Sequence, residues 1–418
     1  MIEEKITSAL YRVNNDRLWD TLMSHGEIGA TPKGGLNRLA LTDLDKESRE
    51  LFILWCEQSG CTVRIDEIGN IFARREGKNK NVPPVMTGSH IDTQPTGGKF
   101  DGCFGVLAGL EVIRTLNDLN IVTEAPIEVV VWTNEEGARF PPCMMGSGVY
   151  TGKILLDDAL ATTDKEGISV KDALKGIGYD DLKSSRTHKA QAYFEAHIEQ
   201  GPVLEDEQKQ IGVVEGALGQ KWFDVEILGQ EAHAGPTPMH LRKDASLVGA
   251  KIVQFVNQLA IDYMPQGRGT VGCFDVYPSS RNVIPGSVKM TVDLRHSDIG
   301  CLDAMVTKFK AMVDQLSETH RVQAIITPTA DFPPVHFNSE CVSKVRDAAN
   351  ALGYTNMGIT SGAGHDAIFL SDIMPTAMIF VPCEGGISHN ERERANKEDL
   401  GAGASVLLNA LLLCAGEV

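Results

Sequence analysis

None of the nine cysteines stands in a CxxC pair, and they are odd in number and scattered. That argues against a disulfide frame or a cysteine-based zinc site and for reduced thiols in a cytoplasmic protein. No apolar run approaches the roughly 18 residues of a membrane span. The N-terminal stretch MIEEKITSALYRVNNDRLWD is acidic and amphipathic, without the basic and then apolar segments of a signal peptide. Positive charge is also scarce: 39 Lys and Arg against 56 Asp and Glu leave a net charge of -17. Neither nucleic acid nor an anionic membrane is then an expected partner, because phosphate binding needs a basic surface. A small anionic substrate stays possible, since one local arginine can override the global field. Internal repeats and low-complexity segments are absent as well.

What is present is an ordinary globular composition, 42% apolar and 23% charged, in 418 residues. That length exceeds one compact core, so two domains are expected. In the first half, strands alternate with helices. Val85–Thr87 reads as a short strand leading to His90, residues 105–116 as a helix, and Ile127–Trp132 as a buried parallel strand. The middle reads differently. Strand-like segments at 222–228, 269–276, 287–295 and 322–327 interleave with helical periodicity at 244–263 and 302–318, and that βαββαβ order predicts a ferredoxin-like insert. The expected fold is thus α/β, a mixed central sheet with helices on both faces. Residues 1–214 and 330–418 form a discontinuous catalytic domain, and residues 215–329 an inserted α+β domain.

Five separated stretches offer metal ligands: GSHIDT, GGKFDG, TNEEGARF, EAHIEQG and GISHNE. Together they supply His90, Asp92, Asp101, Glu135, Glu136, His197 and His389, the imidazole and carboxylate inventory that a two-metal hydrolase needs. His90 and Asp92 stand at a strand end, where one can ligate while the other orients an imidazole. Asp101 lies among glycines that permit close approach to an ion. The adjacent Glu135 and Glu136 repel each other unless a cation or proton intervenes, so one can bind metal while its neighbour faces water. Arg295, on the polar face of a strand, suits bidentate contact with a carboxylate. Asn282, Gln200 and a backbone N–H at Gly364 are further candidates for that grip.

These strings, with AHAGPTPM, RNVIPG, DLRH and SGAGHDA, resemble the metallo-aminoacylase/carboxypeptidase clan, and within it the N-carbamoyl-amino-acid amidohydrolases, over nearly the whole chain. The resemblance implies two divalent ions per subunit (zinc, or manganese, cobalt or nickel), with Asp101 bridging. It implies His90 and His389 or His197 as terminal ligands, Glu136 as a further ligand, Glu135 as general base, and Asp92 behind the ligands. It assigns the substrate carboxylate to Gln200, Asn282, Arg295 and the Gly364 loop. It also implies a homodimer in which His233 reaches the partner subunit's site to hold the oxyanion, the insert serving as lid and dimerisation domain. The implied reaction is hydrolysis of the ureido C–N bond of an N-carbamoyl amino acid, α or β. Allantoate hydrolysis is the alternative, and a dipeptidase or aminoacylase of the same clan a more distant one.

Overall fold

The computed structural model describes residues 10–179 and 188–418. Residues 1–9, part of the acidic N-terminal stretch, lie outside the described residues. The chain divides into two compact units. One carries it up to Glu215 and again from Phe337; the other spans Gly216–His336.

The first unit is built on a mixed sheet whose centre is parallel. Its strands run Ile127–Trp132, Val85–His90, Ala192–Ile198 and Thr376–Val381 side by side, each parallel to its neighbour. Antiparallel strands extend both sides: Ile71–Arg75 and Thr62–Ile65 beyond Ile127–Trp132, and Ile211–Ala217 beyond Thr376–Val381. All four central strands are buried along their whole length. Ala192–Ile198 shows how two-residue alternation sorts the faces. Ala192, Phe194, Ala196 and Ile198 enter the apolar core with the helices Cys103–Asp118 and Lys397–Ala415. On the opposite face, Tyr193 bonds the Trp132 indole, and Glu195 caps the helix Asp366–Leu370 through Ala367 N at 3.1 Å. Helices therefore cover both faces, as the α/β pattern predicts. Lys397–Ala415 is the one helix among the described residues long and apolar enough to cross a membrane, and 78% of its apolar window is buried in this core.

Parallel strands bring their carboxyl ends together, which is where open α/β sheets place their sites. His90 is the last residue of its strand and pairs with Trp132, two residues before Asn134-Glu135-Glu136. Val85–Thr87 pairs with Ala192–Phe194, and three residues further along both strands stand His90 and His197, ring centroids 6.0 Å apart.

The second unit has the βαββαβ order. Its sheet runs Gln323–Phe332, Gly219–Leu228, Ser287–His296, Arg268–Tyr277, antiparallel throughout. Val288, Met290, Val292 and Leu294 bury one face against the helices Ala245–Asp262 and Ile299–His320. The last strand runs on to Phe332, past the expected end of the insert at 329. The register shifts between Pro328 and Ala330, and the strand lies at the sheet edge, where a proline is tolerated. The unit accordingly closes at His336.

Gly105 offers a test of this packing. A Cβ there would lie 2.3 Å from the Ala196 carbonyl oxygen, so the helix Cys103–Asp118 could not approach the sheet. Gly105→Ala gains up to about 1 kcal/mol of helix propensity, yet should destabilise the chain by about 1–3 kcal/mol through overpacking. Chemical denaturation measures the sign.

Candidate metal centre

Five of the expected ligands come together, and Asp101 is their centre. Its Oδ1 lies 3.2 Å from His197 Nε2 and 3.8 Å from His90 Nε2. Its Oδ2 lies 3.3 Å from His389 Nε2, and that same nitrogen is 3.3 Å from Glu136 Oε2. Two ligand clusters built on Asp101 result, His90/Asp101/His197 and Asp101/Glu136/His389, sharing one carboxylate; a third group, Glu195/His197/His365, shares only His197 with them.

The backbone fixes which imidazole nitrogens face inward. His90 Nδ1 donates to the Asp92 carbonyl and His197 Nδ1 to the Ile198 carbonyl, each at 2.9 Å. In the neutral rings, Nε2 then carries the lone pair. Both Nε2 atoms face Asp101 Oδ1, a buried oxygen without a hydrogen-bond partner, and His197 Nε2 also accepts from the Gly102 amide at 3.1 Å. Lone pairs aimed at a buried carboxylate oxygen make an arrangement that a cation satisfies, and nitrogen and oxygen donors suit a zinc-class ion. Gly102 makes room for it. Its φ is +64°, and a Cβ there would lie 2.4 Å from the His90 ring.

The protons report the same demand for positive charge. Burial opposes charging His197, but contact with Asp101 outweighs it and raises the pKa to about 9. The hydrogen bond to Asp101 likewise raises His389 to about 9. His90 is lowered to about 4 by burial. Among the acids, burial and then Asp101 raise Glu136 to about 8. Glu135 is pushed well above the carboxylate range by burial and then by Asp366 and Glu136.

Glu135 belongs to neither cluster, although its Oε2 lies 3.4 Å from His90 Nε2. Asp92 stands where an orienting partner of His90 is expected, and it is its carbonyl that accepts from the ring. Its carboxylate is 3.9 Å from the ring. The carboxylate instead accepts from the amides of Glu135 (3.2 Å) and Glu136 (3.3 Å), pinning that turn beside the cluster. Gln200, expected to grip substrate, donates from Nε2 to Asp101 Oδ2 at 2.9 Å. Gly364 stands in the first unit beside Met144, in the loop after the strand Asn356–Ser361.

His233, Asn282 and Arg295 belong to the second unit. His233 pairs with Val283 in a two-residue ladder, and the adjacent Ala234 N donates to the Asn282 carbonyl at 2.8 Å. The Arg295 guanidinium is bound to Asp293, with Nε 3.1 and 3.0 Å from the two carboxylate oxygens.

Several partners escaped the sequence reading. Gln94 donates to both Glu136 oxygens, through its amide at 3.1 Å and its side chain at 2.7 Å. Buried His365 packs edge-on against His197, centroids 4.6 Å apart. The fully buried Arg38 donates to the Ile91 carbonyl at 2.8 Å, between His90 and Asp92. His365 sits inside the SGAGHDA string and Gln94 inside GSHIDTQPTGGKFDG, so both were visible in principle; Arg38 stands in no such string.

Residues 86–413 match the model of peptidase family M20/M25/M40. The chain is 48% identical to an N-carbamoyl-L-amino-acid amidohydrolase of Rhizobium meliloti, with 96% of each chain covered. It is 31% identical to an allantoate amidohydrolase of Bacillus subtilis, covering 92% of this chain and 94% of that one. Among solved structures, a hydantoinase/carbamoylase family amidase from Burkholderia multivorans superposes with TM-score 0.95 at 50% identity, over 97% of this chain and 98% of that one.

Metal uptake should depend on pH with a definite sign. Below about 9 the protons on His197 and His389, and below about 8 the proton on Glu136, compete with the ion. Raising the pH from 6 towards 9 removes them, so affinity should rise, by about tenfold per pH unit for each proton displaced, and level off above 9. Zinc titrations of chelator-stripped protein across that range read the slope. A flat profile would mean that these imidazoles are not displaced ligands.

Proposed function

The chain belongs to the peptidase M20/M25/M40 family, and from that premise we propose that it hydrolyses the ureido C–N bond of N-carbamoyl-L-amino acids, releasing the free amino acid, ammonia and carbon dioxide. The observation that carries this reading is the shared Asp101 carboxylate, with Glu135 3.4 Å from His90 of the first cluster and a member of neither.

His90, Asp101 and His197 would hold one divalent ion, and Asp101, Glu136 and His389 a second. Zinc suits these donors, and manganese, cobalt or nickel would be accepted according to supply. Bound there, the ions would lower the pKa of a water towards neutrality and polarise the ureido carbonyl. The protein's own part is proton handling and positioning. Glu135, buried and held by the Asp92-pinned turn, would take the proton of the attacking water and deliver it to the leaving nitrogen as the C–N bond breaks. His233 is assigned to the developing oxyanion, from the partner subunit of a homodimer. Asn282, Arg295 and the Gly364 amide are assigned to the substrate carboxylate. These assignments, with the second unit as lid and dimerisation domain, rest on motif likeness. Gln200 is assigned there too, although its amide is engaged by Asp101. All nine cysteines are free thiols, which fits a cytoplasmic enzyme.

Ammonia release decides among substrates. The zinc- or manganese-loaded protein should act on N-carbamoyl-L-amino acids in preference to N-carbamoyl-β-alanine, D-carbamoyl amino acids, allantoate and a dipeptide, and a chelator should abolish turnover. Activity on allantoate alone, or on the dipeptide alone, would replace this reading. Glu135→Gln should keep its metal content and lose about 10²–10⁴-fold in kcat; near-normal turnover would remove Glu135 as the base.

A further inference from the structure

Asp101 can serve two ions only if its carboxylate is held so that Oδ1 faces one cluster and Oδ2 the other. The loop that carries it, between the strand ending at His90 and the helix Cys103–Asp118, is rich in glycine and has no ladder of its own. Gly97 bridges to Leu36 at the loop's start, and Gln200 Nε2 reaches Asp101 Oδ2 at 2.9 Å; the Asp101 backbone itself is held from the far end of the chain. Glu393 is 5% exposed, and its Oε1 accepts from two amides, Phe100 N at 2.9 Å and Asp101 N at 3.1 Å. Its Oε2 meets Ser388 Oγ at 2.9 Å, and Ser388 Oγ lies 3.0 Å from Asp101 Oδ2. The side chain enters through a gap kept open by Gly98, where a Cβ would lie 1.9 Å from Glu393 Oε1.

We infer that Glu393 and Ser388 form a positioning clamp that sets the bridging orientation of Asp101 and so decides whether the centre holds two ions or one. Glu393 grips the Asp101 backbone, and the single Ser388 hydroxyl proton lies between the two carboxylates, donated to Asp101 Oδ2 or to Glu393 Oε2 at any one time. The clamp also ties the Asp101 loop to the loop that bears His389, 288 residues later in the chain. Freed from it, Asp101 could still lean on His90 and His197. Gln200 would still reach Oδ2, but with the Asp101 backbone released that oxygen is held less firmly towards Glu136 and His389, so the second cluster is the one that weakens. Outer partners of this kind typically set metal affinity by 10–100-fold.

The inference rests on the two-ion reading above, and zinc alone is a probe that separates them. Chelator-stripped full-length protein is titrated calorimetrically with zinc. If the wild type takes up no zinc, the metal reading itself fails. Given two ions in the wild type, Glu393→Ala should keep one tight site and weaken the other by 10–100-fold, with lowered kcat and little change in KM. Glu393→Gln should behave nearly as wild type, because its amide oxygen can still accept from Phe100 N and Asp101 N while its NH₂ donates to Ser388. Ser388→Ala removes one hydroxyl, and it serves as the second variant if Glu393→Ala does not fold; it should weaken the same single site. Two wild-type affinities in Ser388→Ala and in a folded Glu393→Ala would overturn the clamp. So would an equal loss in Glu393→Gln and Glu393→Ala, which would make charge rather than hydrogen-bond geometry the operative property.

Discussion

The first unit depends on one constraint, the buried carboxylate of Asp101 facing imidazoles on both sides. A charge removed from water is costly unless it is paired. Here the pairing is divided: Oδ2 has Gln200, Ser388 and His389, while Oδ1 has only the His197 imidazole, 3.2 Å away, to share a proton with. The Nδ1 atoms of His90 and His197 are committed to backbone carbonyls, so their Nε2 lone pairs crowd that oxygen. Protons relieve the crowding in part, which is why His197 and His389 are raised while His90, deep and lacking a hydrogen bond to Asp101, is lowered. Cations would relieve it fully. Glu136 adds a second anion at one side, and Glu135 stands just outside, its carboxylate 3.4 Å from His90 Nε2.

The fold serves this carboxylate. Parallel strands level His90, His197 and the Glu135-Glu136 turn at one sheet edge, and alternation sends His197 to the face away from the main apolar core. The glycine-rich loop supplies close approach at Gly102 but no rigidity, so rigidity is borrowed from Glu393 and from Arg38 behind the His90–Asp92 backbone.

Much of this was legible in the amino-acid sequence. Ile127–Trp132 reads as a buried strand because every residue but Glu128 is apolar, and it forms at those bounds. The insert's βαββαβ order follows from alternation at Ser287–His296 and helical periodicity on either side. The candidate ligands were legible as a joint set of histidines and carboxylates in glycine-rich or strand-end contexts, and the family resemblance, not any single residue, gave each its implied role. Less legible was whatever depends on contacts between distant segments. Glu393 is four residues past His389 and reads as one charge in a polar run; only folding places it on the Asp101 amide. Asp92 was legible as a supporting residue but not in its manner of support, since hydrogen bonds to its carbonyl and its carboxylate look alike in sequence. The strand Gln323–Phe332 ran past its expected end because a register shift lets an edge strand absorb Pro328.

Anomalous diffraction at the zinc edge from crystals of the zinc-loaded protein tests the shared carboxylate most directly. The account predicts two peaks, one flanked by His90 and His197 and the other by Glu136 and His389, with one Asp101 oxygen against each. A single peak, or two peaks with Asp101 bound to only one of them, would contradict it.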